Sequence, residues 1–296
     1  MDSEPPGEYG DYGIGVPPSS PTLPPVYPEP SATPPRKKNF WGPLGFIGIL
    51  LAKFGSLLKF VGPFAKTGLS MLLSIWVYSQ LFGWSYGIGF VLLIFVHELG
   101  HVFAAKWSGI QISAPLFIPF VGAQILLRQQ LPDAWVEARI GVAGPIAGTV
   151  AAVACHVAFL ATGMPLLAAL ANTGYFLNFF NLIPIVPLDG GRIMAAISPW
   201  AWLVGYSIMA AWLGLEVYGA LQHDGPPLRG GSFILLMVLV VSLPRVLRLF
   251  RGSTMEDQRY YSVSSLRRWS MAGVYFGLVA FLWIGMLTIG RSANVF

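Results

Sequence analysis

The sequence predicts an all-α polytopic membrane protein, with about six to seven transmembrane helices and a short re-entrant or interfacial hairpin after the second. Three observations carry this prediction. Of 296 residues, 55% are hydrophobic and 10% charged, against roughly 25% charged in an average soluble domain. So little charge cannot cover a water-facing surface of this size, whereas lipid requires no such cover. Apolar runs near the ~20 residues that span a bilayer recur along the chain. Lys and Arg gather between alternate runs, the pattern of loops kept on the cytoplasmic side. The net charge of +5 is therefore read as topology. It excludes nucleic-acid binding, which needs a basic patch on a folded, water-facing surface.

Taken in order, residues 1–39 hold eleven of the 24 prolines and cannot bury enough apolar surface to order themselves. They read as a disordered, Pro-rich cytoplasmic tail. It opens on Asp2 and Glu4, unlike a secretory signal peptide. Arg36, Lys37 and Lys38 close it, either as a topology signal or as an anchor to anionic lipid. Residues 40–66 are apolar but interrupted by Lys53, Lys59, Pro63 and Lys66, and read as an interfacial amphipathic segment. A membrane core over 67–198 and further transmembrane helices over 199–296 complete the chain.

The spans are expected at about 68–83, 85–105, 137–161, 166–187, 199–221, 231–249 and 270–290. With the N-terminus in the cytoplasm, the inner loops hold Lys106, Arg128, Arg192 and six arginines between 245 and 268. The outer loops then hold only Arg229, and the C-terminus adds Arg291, so the bias supports this orientation. The basic 245–268 segment is expected to be a solvated cytoplasmic loop, with lipid headgroups or a partner as the alternative. Residues 114–123, rich in Pro and Gly, are too broken for a helix and read as the hairpin.

Chemistry concentrates in the second span, which contains His97-Glu98-Leu99-Gly100-His101. Histidines at i and i+4 project from one helix face. That spacing lets two imidazoles reach one zinc ion, with Glu98 beside it as a base toward bound water. Three ionisable groups within five positions of an apolar helix are costly unless a metal and a cavity hold them. A catalytic zinc needs a third protein ligand and one open position. Cys155 is the only cysteine and lies in an apolar run. This leaves neither an intrachain disulfide nor a cysteine-built metal site. The best third candidate is Asp189, in Asn181-Leu-Ile-Pro184-Ile-Val-Pro187-Leu-Asp189-Gly190-Gly191-Arg192. Two crossings after His101 return the chain to the same side and a similar depth. Gly190 and Gly191 are expected to form a tight turn after Asp189.

These two motifs together resemble the site-2 protease family of intramembrane zinc metalloproteases, peptidase family M50. Phe117-Ile118-Pro119 to Gly122-Ala123 and Ala143-Gly144-Pro145 are similar to further family features. The resemblance covers roughly residues 68–198. It implies a zinc endopeptidase, with one zinc per chain, that cuts within or beside a transmembrane segment. By that likeness His97, His101 and Asp189 bind zinc, Glu98 is the acid/base, and Asn181 holds substrate or transition state. Many relatives carry Asn shortly after the Gly-Pro of the third span, where this chain has Ile146-Ala147-Gly148. Gly144 and Gly148 are read instead as a helix-packing surface.

Other polar residues receive lesser readings. Asn178, three before Asn181, either assists it at the substrate or bonds across helices. His156 is expected to be structural, and Asp133 to cap a helix. No segment suits an inserted PDZ or nucleotide-sensing domain, so the membrane core, the ends or partners are expected to select substrates. Two rival functions remain. A non-proteolytic, partner-binding member of the fold would carry a broken motif. A metal-ion transporter would spread polar ligands through several spans, whereas here Glu216 is the main charge away from the cluster.

Overall fold

Each apolar run expected to span the membrane folds as a helix in the computed structural model, which describes residues 65–120, 122–125, 128–222, 230–252 and 254–292. The expectations for residues 1–39, and for 40–66 save its last two residues, lie outside the described residues. So do His223, Asp224 and Arg229. In chain order the helices are α1 (65–82), α2 (Trp84–Trp107), α3 (Ala134–Thr162), α4 (Pro165–Asn181), α5 (Asp189–Ile197), α6 (Ala201–Gln222), α7 (Gly230–Arg248), α8 (Met255–Tyr260) and α9 (Ser265–Ser292). Among the described residues, α2, α3, α6 and α9 are long and apolar enough to cross a membrane. That is fewer than the six to seven expected. α4 has only 17 residues, and α7 ends in Pro244, Arg245 and Arg248.

Local chemistry sets the breaks. Gly83 separates α1 from α2 with φ of 87°, a conformation that side chains disfavour. Asp133 caps α3 by accepting from the Val136 amide at 2.8 Å, as expected. The fourth run, expected to continue to 187, stops at Asn181. Pro184 lacks an N–H and pushes the residue before it away from the helical region. Residues 182–188 therefore form an irregular link, including a cis Val186–Pro187 peptide. Asp189 then begins a new helix rather than a turn. Gly190 and Gly191 are needed for closeness: a Cβ on either would strike the backbone of Leu182 and Ile183, or of Ile185.

Small residues bring α2 and α3 together. A Cβ on Gly100 would collide with the Ala143 carbonyl and the Ala147 methyl, the close approach typical of membrane helices. α9 packs across α3, α4 and α5. Its Tyr275 hydroxyl donates to the Leu182 carbonyl at 2.5 Å, a group left free where α4 ends. Tyr260 of α8 donates to Glu137 of α3 at 2.7 Å, and Arg245 lies 3.8 Å from the same carboxylate. Burial and Glu137 both push the Tyr260 hydroxyl's pKa up, so it remains the donor. The outward faces of α1, α6 and α9 leave Leu72, Leu215, Trp269 and Phe276 exposed. Lipid accommodates such faces, and water does not.

Between α2 and α3, β1 (Leu116–Ile118) pairs antiparallel with β2 (Gly122–Gln124), with Phe117 opposite Ala123. The two strands pair within and just beyond residues 114–123, where a re-entrant or interfacial hairpin was expected. The pair is fastened to α1: the Phe117 amide donates to Ser70 at 3.1 Å, and the Phe120 amide to the Tyr78 hydroxyl at 2.8 Å.

Candidate metal centre

α2 presents His97 and His101 one turn apart, and the start of α5 brings Asp189 between them. Asp189 Oδ2 lies 3.1 Å from Nε2 of each histidine. The two Nε2 atoms are themselves 3.1 Å apart. All three residues are buried.

The outer ring nitrogens decide what the inner ones offer. His101 Nδ1 lies 2.8 Å from the Ile140 carbonyl of α3. A carbonyl only accepts, so this nitrogen carries the proton. His97 Nδ1 lies 2.7 Å from Asn178 Oδ1. The other end of that amide, Nδ2, donates to the Gly174 carbonyl at 2.7 Å. This orients the amide and makes His97 Nδ1 a donor too. Both Nε2 lone pairs therefore point inward, beside a carboxylate oxygen. Three acceptors so close repel unless a cation lies among them. A proton on one imidazole satisfies one contact, whereas a metal ion satisfies all three. Ligands on a tetrahedral centre with bonds of about 2.0–2.1 Å stand about 3.3 Å apart, close to the observed triangle. Neutral imidazoles with a carboxylate are a donor set suited to zinc.

Glycines admit this arrangement. A Cβ on Gly144 would enter the His101 ring, and one on Gly148 would enter the Asn178 amide. The expected Gly144–Gly148 packing surface is thus the wall that seats two groups of the centre. Arg192 places Nη1 3.8 Å from the free Asp189 oxygen, one helical turn on.

A cavity of about 560 Å³ opens beside the triangle, within the range of ligand pockets. Glu98 is buried and lines it, as do Asn181, Phe120 and Ala123. Most of its remaining wall is apolar, with α1, α2, α4, α6 and α7 all contributing. Of the residues singled out from sequence, the structure gathers His97, His101 and Asp189, with Glu98 and half-buried Asn181 at the cavity. Asn178 stands apart: it is 1% exposed and its amide is engaged by His97 and Gly174. His156 pairs with the Tyr175 hydroxyl at 3.1 Å, consistent with its expected structural place.

Three contributors escaped the sequence reading. Arg192 was signalled by its i+3 spacing from Asp189. The Ile140 carbonyl had no signal. Trp202, whose indole donates to the Gly191 carbonyl at 2.8 Å and steadies the start of α5, had none either.

Residues 85–172 match the model of peptidase family M50. The chain is 36% identical over 116 residues to a zinc metalloprotease of Methanocaldococcus jannaschii, covering 36% of this chain and 33% of that protein. It is 30% identical over 123 residues to a putative zinc metalloprotease of Synechocystis, covering 38% and 32%. The solved site-2 protease of Methanocaldococcus jannaschii is similar at 26% identity, with a TM-score of 0.44, over 60% of this chain and 87% of that one. The chain spans about a third of the length of the curated relatives it matches.

Proposed function

We propose that the chain is a member of peptidase family M50, whose model its residues 85–172 match, and that it is an intramembrane zinc endopeptidase, hydrolysing peptide bonds within or beside the transmembrane segments of membrane proteins. The observation that carries this reading is the triangle of two inward Nε2 lone pairs and one carboxylate oxygen at the wall of an apolar cavity.

His97, His101 and Asp189 hold the zinc in this reading. Zinc bound there supplies a Lewis acid and a water activated for attack near neutral pH. Glu98, next to His97 and facing the cavity, takes the proton from the attacking water and returns it to the leaving amine. Asn181 directs its amide N–H to the oxygen that becomes negative as the carbonyl is attacked. Asn178 and the Ile140 carbonyl hold the imidazoles in the required tautomer. Arg192 does the same for the second oxygen of Asp189. The apolar wall excludes bulk water, which strengthens these interactions. A helical peptide bond is shielded by its own hydrogen bonds, so the substrate must unwind. The edge of the β1–β2 hairpin offers it a strand to pair with.

The chain is an integral membrane protein in this reading, crossing six or seven times. Its N-terminus and the Asp189 end of the site lie on the cytoplasmic side, supported by the bias of Lys and Arg between spans. The test is Glu98→Gln in the purified full chain. One zinc per chain is retained, and cleavage of membrane peptides falls at least about a hundredfold. Cleavage at the wild-type rate refutes the role of Glu98. Absence of zinc from a folded wild-type chain refutes the centre.

A further inference from the structure

Glu216 lies in the apolar run of α6, away from the His97–Asp189 group. An ionisable side chain inside such a helix is costly and marks a functional position by default. The structure sets it on the wall of the same cavity that Glu98 lines. Its contact with Ser232 of α7 is long, at 3.5 Å. Among the described residues no Lys, Arg or His lies within ion-pair distance of it. Trp212, Ile234, Leu235 and Met237 make the neighbouring wall apolar. Glu216 is exposed and lines the cavity without a compensating charge from the described residues.

The helix supplies a register. α6 meets the link before Asp189 at Gly205, whose backbone packs against the Pro184 carbonyl. Glu216 is eleven residues further along α6, about 16 Å at 1.5 Å per residue. A substrate covers that distance in about five residues if extended, or in about eleven if helical.

We propose that Glu216 is a specificity-determining residue, selecting transmembrane segments that carry a Lys or Arg about five to eleven residues beyond the part of the segment level with the Pro184 link before Asp189. The proposal rests on the reading of this cavity as a peptide site. A matching cation satisfies the carboxylate beside the apolar wall. A neutral segment leaves it unpaired, and an acidic one repels it.

The test uses the full chain carrying Glu98→Gln, in liposomes, with synthetic Leu/Ala transmembrane peptides. One Lys, Gln or Glu is walked through successive positions, and binding is read by energy transfer between labels. Lys peptides bind roughly three- to tenfold more tightly than Gln or Glu peptides within one window of positions. Glu216→Gln, which keeps the side chain's shape, abolishes the preference, and Glu216→Lys transfers it to Glu peptides. Equal binding of the three series at every position, including no binding at all, overturns the proposal. So does a Lys preference that survives Glu216→Gln. If the chain with Glu98 intact cleaves none of the peptides it binds, the peptidase reading falls, while the comparison of binding stands.

Discussion

Asn178 should govern zinc affinity without touching the metal. Its Oδ1 is the acceptor for His97 Nδ1, and both groups are buried. Asn178→Ala removes that acceptor and leaves a buried imidazole N–H unsatisfied, a loss of about 1–3 kcal/mol. The imidazole is then free to turn or to change tautomer. Loss of such a partner weakens metal binding about 10- to 100-fold, or about 1.4–2.8 kcal/mol. The assay is competition for zinc between the purified full chain and a fluorescent chelator. It is run on wild type, Asn178→Ala and Asn178→Asp. Aspartate restores an acceptor for His97 but loses the donor to Gly174, so it should recover part of the affinity. Thermal unfolding with and without chelator separates positioning from packing. A packing defect lowers both curves equally, whereas a positioning defect shrinks the gap that zinc opens between them. A folded Asn178→Ala chain that binds zinc within about twofold of wild type would refute the reasoning.

Gly144→Ala should abolish stoichiometric zinc binding, because its Cβ enters the space of the His101 ring; metal analysis of the purified variant checks this, and one zinc per chain counts against the packing argument. Tyr260→Phe should lower stability by about 1–2 kcal/mol, since a hydrogen bond to a charged group is lost and Glu137 keeps only the more distant Arg245. Thermal unfolding in detergent measures it, and an unchanged midpoint shows that α8 is not held by this bond.

Much of the site was legible because its residue types are expensive where they stand. Three ionisable groups in five positions of an apolar helix point to a metal before any fold is known. Asp189 was reachable because two crossings bring a chain back to its starting side. Asn178 left two readings open, since a buried amide must be satisfied but nothing in sequence names its partner. The end of α4 was misplaced by six residues, because an apolar run continues through Pro184 while a helix does not. Gly190 and Gly191 were expected to make a turn and instead permit close packing at the start of α5.

The sequence by itself determined an apolar, mostly helical chain and singled out His97, Glu98, His101 and Asp189, which the structure brings to one cavity. Those follow from one-dimensional quantities: the length of an apolar run, the period of a helix, and the cost of burying charge. Tertiary structure alone decided which tautomer each histidine adopts, through Ile140 and Asn178. It also decided that Gly144 and Gly148 admit those partners, and that Glu216 shares the cavity with Glu98. Such facts depend on contacts between helices far apart in the chain, and helical periodicity carries no information about which neighbour a face will meet.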